Sequence, residues 1–219
     1  MRSKGDTHHL FDLDRTLVYK NLSFSFYFYL IRRKIVSPLT LLRTIPLLFR
    51  YKLGMIDLEG IHRAAFRFVL KGLRLKTLED AADRFVKDFL SRQLNVPIFQ
   101  ILCSAQESCE PVFLLSSSAH FLVERVSRLL GFERFAGTQY SIDSGGRLCD
   151  IETLITGPEK LILAKRWTKK GAHTIAYSDS SDDLPLFEWA DVPIAVSPDR
   201  ELRRVARENG WTILESALQ

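Results

Sequence analysis

Cysteine is scarce in this chain, which has only Cys103, Cys109 and Cys149 among its 219 residues. Three thiols without a CxxC pair do not form a disulfide framework. The five histidines form no HxxxH pattern either, which argues against a zinc site. We therefore expect free thiols, buried or without a role, in a reducing compartment.

The chain also lacks an apolar run long enough to span a bilayer, which takes about 20 residues. Its most apolar stretches are Leu22–Ile31 and Ile35–Phe49, and the second contains Pro38, Arg43 and Pro46. Near the N-terminus, acidic residues precede any apolar run of signal-peptide length. These features predict a cytoplasmic protein, with peripheral contact to a membrane as a further option.

Acidic residues are absent between Arg15 and Ile56, a stretch rich in Phe, Tyr, Leu and Ile. A basic, apolar surface of this kind can bind an anionic membrane or an anionic, apolar substrate. The alternative, which we favour slightly, is that the apolar residues pack helices together and the bases are solvated. No nucleic-acid-binding module is recognisable, so no nucleic-acid partner is expected. The eight basic residues are Arg15, Lys20, Arg32, Arg33, Lys34, Arg43, Arg50 and Lys52.

The order of predicted elements indicates an α/β fold. The composition, 46% hydrophobic and 26% charged, is typical of a soluble globular protein. Residues 21–96 have a helical apolar pattern, broken by prolines, and strands alternate with helices after them. Alternation of this kind predicts a mostly parallel sheet. We predict a core formed by residues 1–17 and 97–219, with a helical cap formed by residues 18–96.

Two carboxylates, Asp12 and Asp14, lie at the end of a predicted buried strand, His9–Leu13. Residues two apart on a strand share a face, so both should emerge at its carboxyl end. One carboxylate can attack phosphorus, and the other can protonate the leaving oxygen and later deprotonate a water. A pair of turn-capping aspartates is an equally good interpretation of this motif alone.

A second acidic cluster follows the predicted strand Thr174–Ser178 and contains Asp179, Asp182 and Asp183. Three acids at one strand end repel one another unless a cation lies among them. Clustered carboxylate oxygens suit Mg²⁺. Helix capping by Ser181 or Asp182 is the alternative, although capping needs only one such residue.

A hydroxyl and a fixed cation complete the groups expected around a transferring phosphoryl. Ser116, Ser117 and Ser118 follow the predicted strand Pro111–Ser116, and Lys160 lies near the start of a predicted helix. A serine run alone is usually a loop, and a lysine alone is usually solvated. The serine run and Lys160 indicate a phosphoryl-transfer site only in combination with the acidic motifs.

The four motifs FDLDRTL, SSS, GPEK and YSDSSDDLPLFEWA occur in an order that resembles the haloacid dehalogenase superfamily, in particular the branch containing phosphoserine phosphatase. The resemblance implies a Rossmann-like three-layer core with a parallel sheet and an inserted helical cap. It also implies a Mg²⁺-dependent phosphomonoesterase that acts through an aspartyl-phosphate. The substrate implied is a small-molecule or lipid phosphate.

The resemblance also implies a role for each motif residue. Asp12 matches the nucleophile and Asp14 the general acid and base. Ser116 matches the phosphate-binding hydroxyl and Lys160 the charge-stabilising lysine. The metal positions implied are Asp12, Asp14, through its backbone carbonyl, Asp179 and Asp183, with Asp179 the more direct ligand.

Two departures from the family pattern stand out, Arg15 and Ser178, each at a position where glycine is common. Neither removes a reacting group. The first third of the predicted cap contains no carboxylate that could bind the ammonium group of phosphoserine. In this respect the chain looks more like relatives in the family that act on lipid phosphates. A phosphotransferase of the same fold and a non-catalytic membrane-associated binding protein are the competing functions.

Overall fold

A computed structural model of the chain describes residues 7–215, apart from the side chain of Lys52. Its seven described strands form one sheet with the order β4-β3-β2-β1-β5-β6-β7. All neighbouring pairs are parallel except β3 and β4. The strands are β1 Thr7–Phe11, β2 Val112–Ala119, β3 Arg134–Ile142, β4 Leu148–Thr153, β5 His173–Ser178, β6 Val192–Val196 and β7 Thr212–Leu214.

Nine described α-helices accompany the sheet, several of them begun by a capping side chain. Asn21, Asp57 and Asp199 each accept a backbone N–H in the first turn of a helix. The helices are α1 Leu22–Arg32, α2 Leu41–Lys52, α3 Leu58–Ala65, α4 Leu75–Gln93, α5 Val96–Glu107, α6 His120–Leu130, α7 Gly157–Trp167, α8 Leu184–Trp189 and α9 Arg200–Glu208. Two 3-10 turns, Pro38–Thr40 and Ser181–Asp183, and one π turn, Phe66–Leu70, complete them.

Helices cover both faces of the sheet, because alternate strand residues point to opposite sides. Phe11 and Leu114 belong to a buried cluster that includes residues of α4, α5 and α6. Leu10 and Leu115 belong to a second cluster with residues of α7, α8 and α9. The predicted three-layer α/β architecture with a mostly parallel sheet is therefore confirmed.

The strand order reverses at β1, with β2 and β3 on one side and β5, β6 and β7 on the other. In open α/β sheets the crevice at such a switch point, beyond the carboxyl ends of the strands, is where ligands bind. The carboxyl ends of β1, β2 and β5 meet here. These are the strand ends that precede the acidic and serine motifs.

Two local predictions need correction. The first strand ends at Phe11, so Asp12 and Asp14 lie in the turn that follows it. Leu17 and other amides of that turn donate to the Leu13 carbonyl instead of a neighbouring strand. Pro46 does not break the helical segment but lies within α2, where its missing N–H removes one helical hydrogen bond. The paired glycines Gly145 and Gly146 predict a hairpin over Thr138–Asp150, and this segment lies in the antiparallel β3–β4 pair.

The segment between β1 and α5 is helical, as predicted, and contains no described strand. Its last helix, α4, packs on α6 next to the sheet, and Arg125 of α6 pairs with Asp83 of α4 at 2.5 Å. Buried residues of the segment share one cluster with residues of the core. The division into a core and a cap at residues 18–96 stays a prediction.

Two further observations concern membrane-spanning helices and cysteines. No helix among residues 7–215 is long and apolar enough to cross a membrane. The three cysteines are free thiols, as expected, although none is fully buried.

Candidate active site

Asp12 and Asp14 lie in the turn after β1, where they are only 7% and 8% exposed. The Asp14 carboxylate accepts the backbone N–H of Leu22 at 2.5 Å and the hydroxyl of Ser118 at 2.6 Å. It therefore joins the first residue of α1 to the end of β2. Arg15 has φ of 62° in this turn, a left-handed conformation that explains why glycine is favourable at its position.

Lys160 reaches the aspartates from the first turn of α7. Thr156 and Glu159 form a capping box at the start of this helix. Gly157 lies so close to the acidic loop that a Cβ there would be 1.7 Å from the Asp182 carbonyl oxygen. The chain can approach that closely only with glycine at this position. This contact fixes the helix beside the loop that contains Asp183.

The buried ammonium of Lys160 bridges the two acidic motifs. It donates to Asp12 Oδ1 at 2.6 Å and to Asp183 Oδ2 at 2.7 Å. Asp183 also accepts the Ser178 hydroxyl at 2.6 Å. Three of the predicted site residues, far apart in sequence, are thus joined by direct charged hydrogen bonds.

The loop after β5 is held in place by Asp199, the capping residue of α9. The Asp199 backbone N–H donates to the Asp179 carbonyl at 2.8 Å. Its carboxylate accepts the Ser181 N–H at 2.8 Å and the Ser181 hydroxyl at 3.0 Å. The Asp179 carboxylate is 3.0 Å from Arg15 Nε. Arg15 therefore links the loops after β1 and β5.

Burial dominates the electrostatics of the site. It raises the pKa of Asp12 to about 7, an effect opposed by Lys160 and reinforced by Asp183 and Asp14. Burial likewise raises the pKa of Asp14 and, together with the Asp12 charge, that of Asp179. For Lys160, burial lowers the pKa, but the charges of Asp12 and Asp183 outweigh it and raise the pKa overall. Burial therefore raises the pKa of these carboxyl groups more than the repulsion between their charges does.

The donor set suits a hard cation such as Mg²⁺. Asp12, Asp14, Asp179 and Asp183 are buried carboxylates, and Lys160 with Arg15 supplies only two positive charges against them. No three acidic, imidazole or thiol side chains within the described range 7–215 are already arranged around a metal position. Since Mg²⁺ uses one or two carboxylates and keeps several waters, these oxygens fit it chemically. Their assignment as metal ligands stays a prediction.

The serine run does not place its three hydroxyls alike. Ser116 is fully buried, and its hydroxyl accepts the Ser118 N–H at 3.1 Å. Ser117 and Ser118 line the cavity that contains the aspartates, and Ser116 is absent from that lining. The phosphate-binding role of Ser116 therefore stays a prediction, and Ser118 is the serine in contact with Asp14.

A cavity of about 660 Å³ opens from these residues. Asp12, Asp14, Lys160, Asp179 and Asp183 all line it. Its remaining walls come largely from apolar residues of the helical segment and from the start of α6. Five of the six predicted site residues therefore share one cavity.

Several contacts in the site were not predicted from the sequence. Asp199 and Ser178 hold the acidic loop, Ser118 contacts Asp14, and the Tyr51 hydroxyl of α2 donates to Asp182 at 3.4 Å. Asp199 precedes the helical pattern of residues 200–208, and an aspartate in that position is a capping signal that the sequence does contain. The others depend on tertiary contacts that no local pattern encodes.

Carboxylates and a buried lysine at the switch point of a doubly wound sheet define an enzyme site suited to phosphoryl transfer. The sequence profile of the haloacid dehalogenase-like hydrolases matches residues 9–188, most of the chain. The chain therefore belongs to the haloacid dehalogenase-like hydrolase family.

Individual proteins agree with this assignment. Histidinol-phosphatase of Neisseria meningitidis serogroup C is 28% identical over 218 residues, covering 94% of this chain and 96% of that protein. A Bordetella pertussis Tohama I protein of unknown function superposes with a TM-score of 0.83 at 24% identity, over 95% of this chain and 97% of that one. A substrate-bound phosphoserine phosphatase has a TM-score of 0.68 at 19% identity, over 98% and 94% of the two chains. At these identities the two structures show the shared fold alone.

Proposed function

We propose that this phosphatase of the haloacid dehalogenase-like family is a Mg²⁺-dependent phosphomonoesterase that forms an aspartyl-phosphate on Asp12. The observation that carries the proposal is the Lys160 ammonium, which bridges Asp12 and Asp183 in the wall of one cavity. A fixed cation beside a buried carboxylate can stabilise charge that develops on a transferring phosphoryl.

The hydrogen bonds of Asp12 select the attacking oxygen. Lys160 occupies Oδ1, and Oδ2 has no hydrogen-bond partner among the described residues. In the proposed first step, Oδ2 bonds to phosphorus while the bond from phosphorus to the leaving oxygen breaks. Protonated Asp14 gives its proton to that oxygen. Burial, which raises the pKa of Asp14, favours the protonated form that this step needs.

The second step releases phosphate. Asp14, now ionised, takes a proton from a water, whose oxygen bonds to phosphorus while the bond to Asp12 Oδ2 breaks. Asp12, Asp179 and the backbone carbonyl of Asp14 would hold Mg²⁺, with Asp183 beside them, and the bound ion would supply positive charge to the phosphate oxygens.

Asp12→Asn tests the covalent route. The amide is nearly isosteric but a poor nucleophile, so turnover of acetyl phosphate should be abolished while the melting curve stays cooperative. Asp150→Asn, on the exposed β4 strand, is the matched control and should keep full activity. Beryllium fluoride should inhibit the unaltered protein by mimicking the phosphorylated aspartate. Full activity in Asp12→Asn would exclude the mechanism.

The substrate we propose is a small-molecule or lipid phosphate. The names of the relatives, histidinol-phosphatase and phosphoserine phosphatase, favour small phosphomonoesters. An exposed apolar stripe on α2, continued by Leu53 just after the helix, favours an amphiphilic substrate: Leu42, Ile45, Phe49 and Leu53 are between 46% and 73% exposed. Two of them, Ile45 and Phe49, also line the cavity.

We further propose a cytoplasmic location with peripheral binding to an anionic membrane. Arg43 and Arg50 are exposed on α2, and Arg32, Arg33 and Lys34 are exposed at the end of α1. Each basic residue near an anionic surface can add about 1 kcal/mol to binding. Exposed apolar and basic groups therefore coincide on α2, although Phe26 and Leu30 of α1 are buried in the core.

Vesicle co-sedimentation tests the membrane contact. Leu42→Asp should reduce binding to anionic vesicles several-fold, whereas Leu129→Asp, at an exposed leucine of α6, should not. Added salt should weaken the attraction. Equal binding of the unaltered protein to anionic and neutral vesicles would end the proposal.

A further inference from the structure

The cavity that contains the catalytic aspartates has a second end of different character. There the walls are formed by side chains of α1, α2, α3 and the π turn, with Phe121 and Leu122 from α6. Phe26, Leu48 and Phe66 are among the apolar residues that face it. At about 660 Å³ the cavity is in the range that holds drug-sized ligands. A phosphate group alone would leave most of it empty.

Carboxylates are missing from this apolar end. Every acidic residue on the cavity wall, among those described, is at the strand ends: Asp12, Asp14, Asp179, Asp182 and Asp183. Of the six acids in the helical segment, Glu79 does not line the cavity and the other five are engaged elsewhere. Asp57 caps α3, Glu59 pairs with Arg63, and Asp80, Asp83 and Asp88 pair with Lys76, Arg125 and Arg92.

An ammonium group in the substrate would therefore have no partner at the apolar end. Burying an unpaired charge is strongly unfavourable. Amino-alcohol phosphates, such as phosphoserine, carry such a group close to the phosphate. The part of the cavity wall that comes from the helical segment offers this group no carboxylate.

Only a few polar atoms interrupt the apolar walls. The Tyr27 hydroxyl is within 2.6 Å of Thr40 Oγ1 and 3.2 Å of Thr44 Oγ1, so it is already paired. The imidazole of His62 lines the cavity and has no hydrogen-bond partner among the described residues. A ring nitrogen in this position can bind one neutral hydroxyl or carbonyl group.

We propose that this cavity end binds the leaving group of the substrate as an uncharged, mainly apolar alcohol, with His62 contacting one neutral polar group on it. The inference rests on the proposed phosphatase function and specifies its substrate class. A soluble alkyl or aryl phosphate and a lipid phosphate share this chemistry, and the experiment separates them.

The first measurement is kcat/KM for ethyl, butyl and hexyl phosphate below their aggregation concentrations, with phosphoserine and phosphoethanolamine alongside. Each methylene moved from water into the cavity should raise kcat/KM by about fourfold. The two amino-alcohol phosphates should fall below ethyl phosphate. The proposal would be overturned if kcat/KM did not rise with the length of the alkyl chain, or if the two ammonium substrates were preferred.

A pair of variants on one helix turn locates the effect. Ala65 lines the cavity and its neighbour Ala64 does not. Ala65→Leu should lower the ratio of kcat/KM for hexyl phosphate to kcat/KM for acetyl phosphate at least tenfold. Ala64→Leu should leave both unchanged. Equal losses on hexyl and acetyl phosphate in Ala65→Leu would contradict binding of the alkyl group at this end.

His62→Phe tests the polar contact. It should lower kcat/KM for 6-hydroxyhexyl phosphate roughly tenfold relative to hexyl phosphate, the typical effect of one hydrogen bond. An unchanged ratio would remove His62 from the proposal.

Two further arms separate the remaining outcomes. The first arm compares phosphatidate in vesicles with monomeric hexyl phosphate. A preference for either of them over ethyl phosphate supports an apolar leaving group. The better of the two substrates shows whether that group comes from a lipid or from a soluble ester. Acetyl phosphate tests the proposed function itself. If the unaltered protein hydrolyses no phosphate at all, the phosphatase proposal fails. If it hydrolyses acetyl phosphate without preferring apolar substrates, only the substrate inference fails.

Discussion

The two ends of the cavity differ in how they are built. At the strand ends, Asp14, Lys160 and Asp183 are buried, and each has two charged or polar partners within 2.7 Å. Across the cavity, the helical segment provides apolar surfaces with few hydrogen bonds and leaves Leu42 and Phe49 of α2 exposed. The strand ends therefore have a fixed geometry suited to chemistry, whereas the helical end offers shape and hydrophobicity.

This contrast separates reaction from selectivity. Groups that meet a developing charge must be held rigidly, because their orientation determines the stabilisation they give. An apolar wall only has to exclude water and match the size of the leaving group. Substitutions at the strand ends should therefore affect all substrates, and substitutions in the helical segment should affect some.

The largest effect is expected from Asp14→Asn. Losing a general acid and base should slow turnover by roughly 10²–10⁴-fold on every substrate. The amide oxygen can still accept the Leu22 N–H, so the turn should persist. Pre-steady-state kinetics with a good leaving group, such as p-nitrophenyl phosphate, should show phosphorylation less affected than dephosphorylation. Equal slowing of both steps for that substrate would argue against the proton-donor role.

Lys160→Met should follow, with a loss of about 10²–10³-fold in kcat for all phosphates. The methionine removes the cation shared by Asp12 and Asp183 but keeps much of the side-chain volume. Lys165→Met, on the exposed side of the same helix, is the control. A selective loss on apolar substrates alone would break the distinction between the two ends.

Magnesium should raise the melting temperature more at pH 8 than at pH 5. Burial raises the pKa of Asp12 to about 7, so folding favours its protonated form. This contribution to stability is present below the unfolded pKa, about 4, and is lost as pH rises through 7. A divalent cation offsets that loss at pH 8, whereas at pH 5 it must displace protons. Equal shifts measured at the two pH values would contradict a carboxylate metal site.

The smallest effect concerns His62 at the helical end. Burial lowers its pKa to about 4, so the folded ring resists protonation. The contribution of the neutral ring to the free energy of unfolding is full above pH 6.5 and is lost as pH falls towards 4. The loss is at most about 3 kcal/mol, because water in the cavity solvates part of the charged ring. His62→Phe should reduce the loss of denaturant stability between pH 7 and 5. An identical pH dependence in the variant would place the ring in solvent.

Sequence and structure agree best at the strand ends. Buried strands followed by Asp12 or Asp179 are local patterns, and the resemblance to a known family adds their order. The β3–β4 hairpin and α8 were predictable for the same reason, since apolar periodicity and turn residues lie within a few positions. The end of β1 was misplaced because Asp12 and Leu13 continue its apolar alternation while the backbone already turns.

Longer-range features could not be predicted in this way. The Asp199 contact with Ser181, the Ser118 contact with Asp14 and the volume of the cavity all arise from tertiary packing. Apolar residues of α1 and α2 looked alike in sequence, yet Phe26 is buried and Phe49 is 65% exposed. Helical periodicity indicates that a helix has an apolar face but not what covers that face.

The most direct test of this account is to trap the covalent intermediate. The enzyme is quenched during turnover of acetyl phosphate with Mg²⁺ present and reduced with borohydride, which converts an aspartyl-phosphate to homoserine. Peptide mass spectrometry should then find homoserine at position 12 and intact aspartate at positions 14, 179 and 183. Conversion at another aspartate, or none during demonstrable turnover, would contradict Asp12 as the nucleophile.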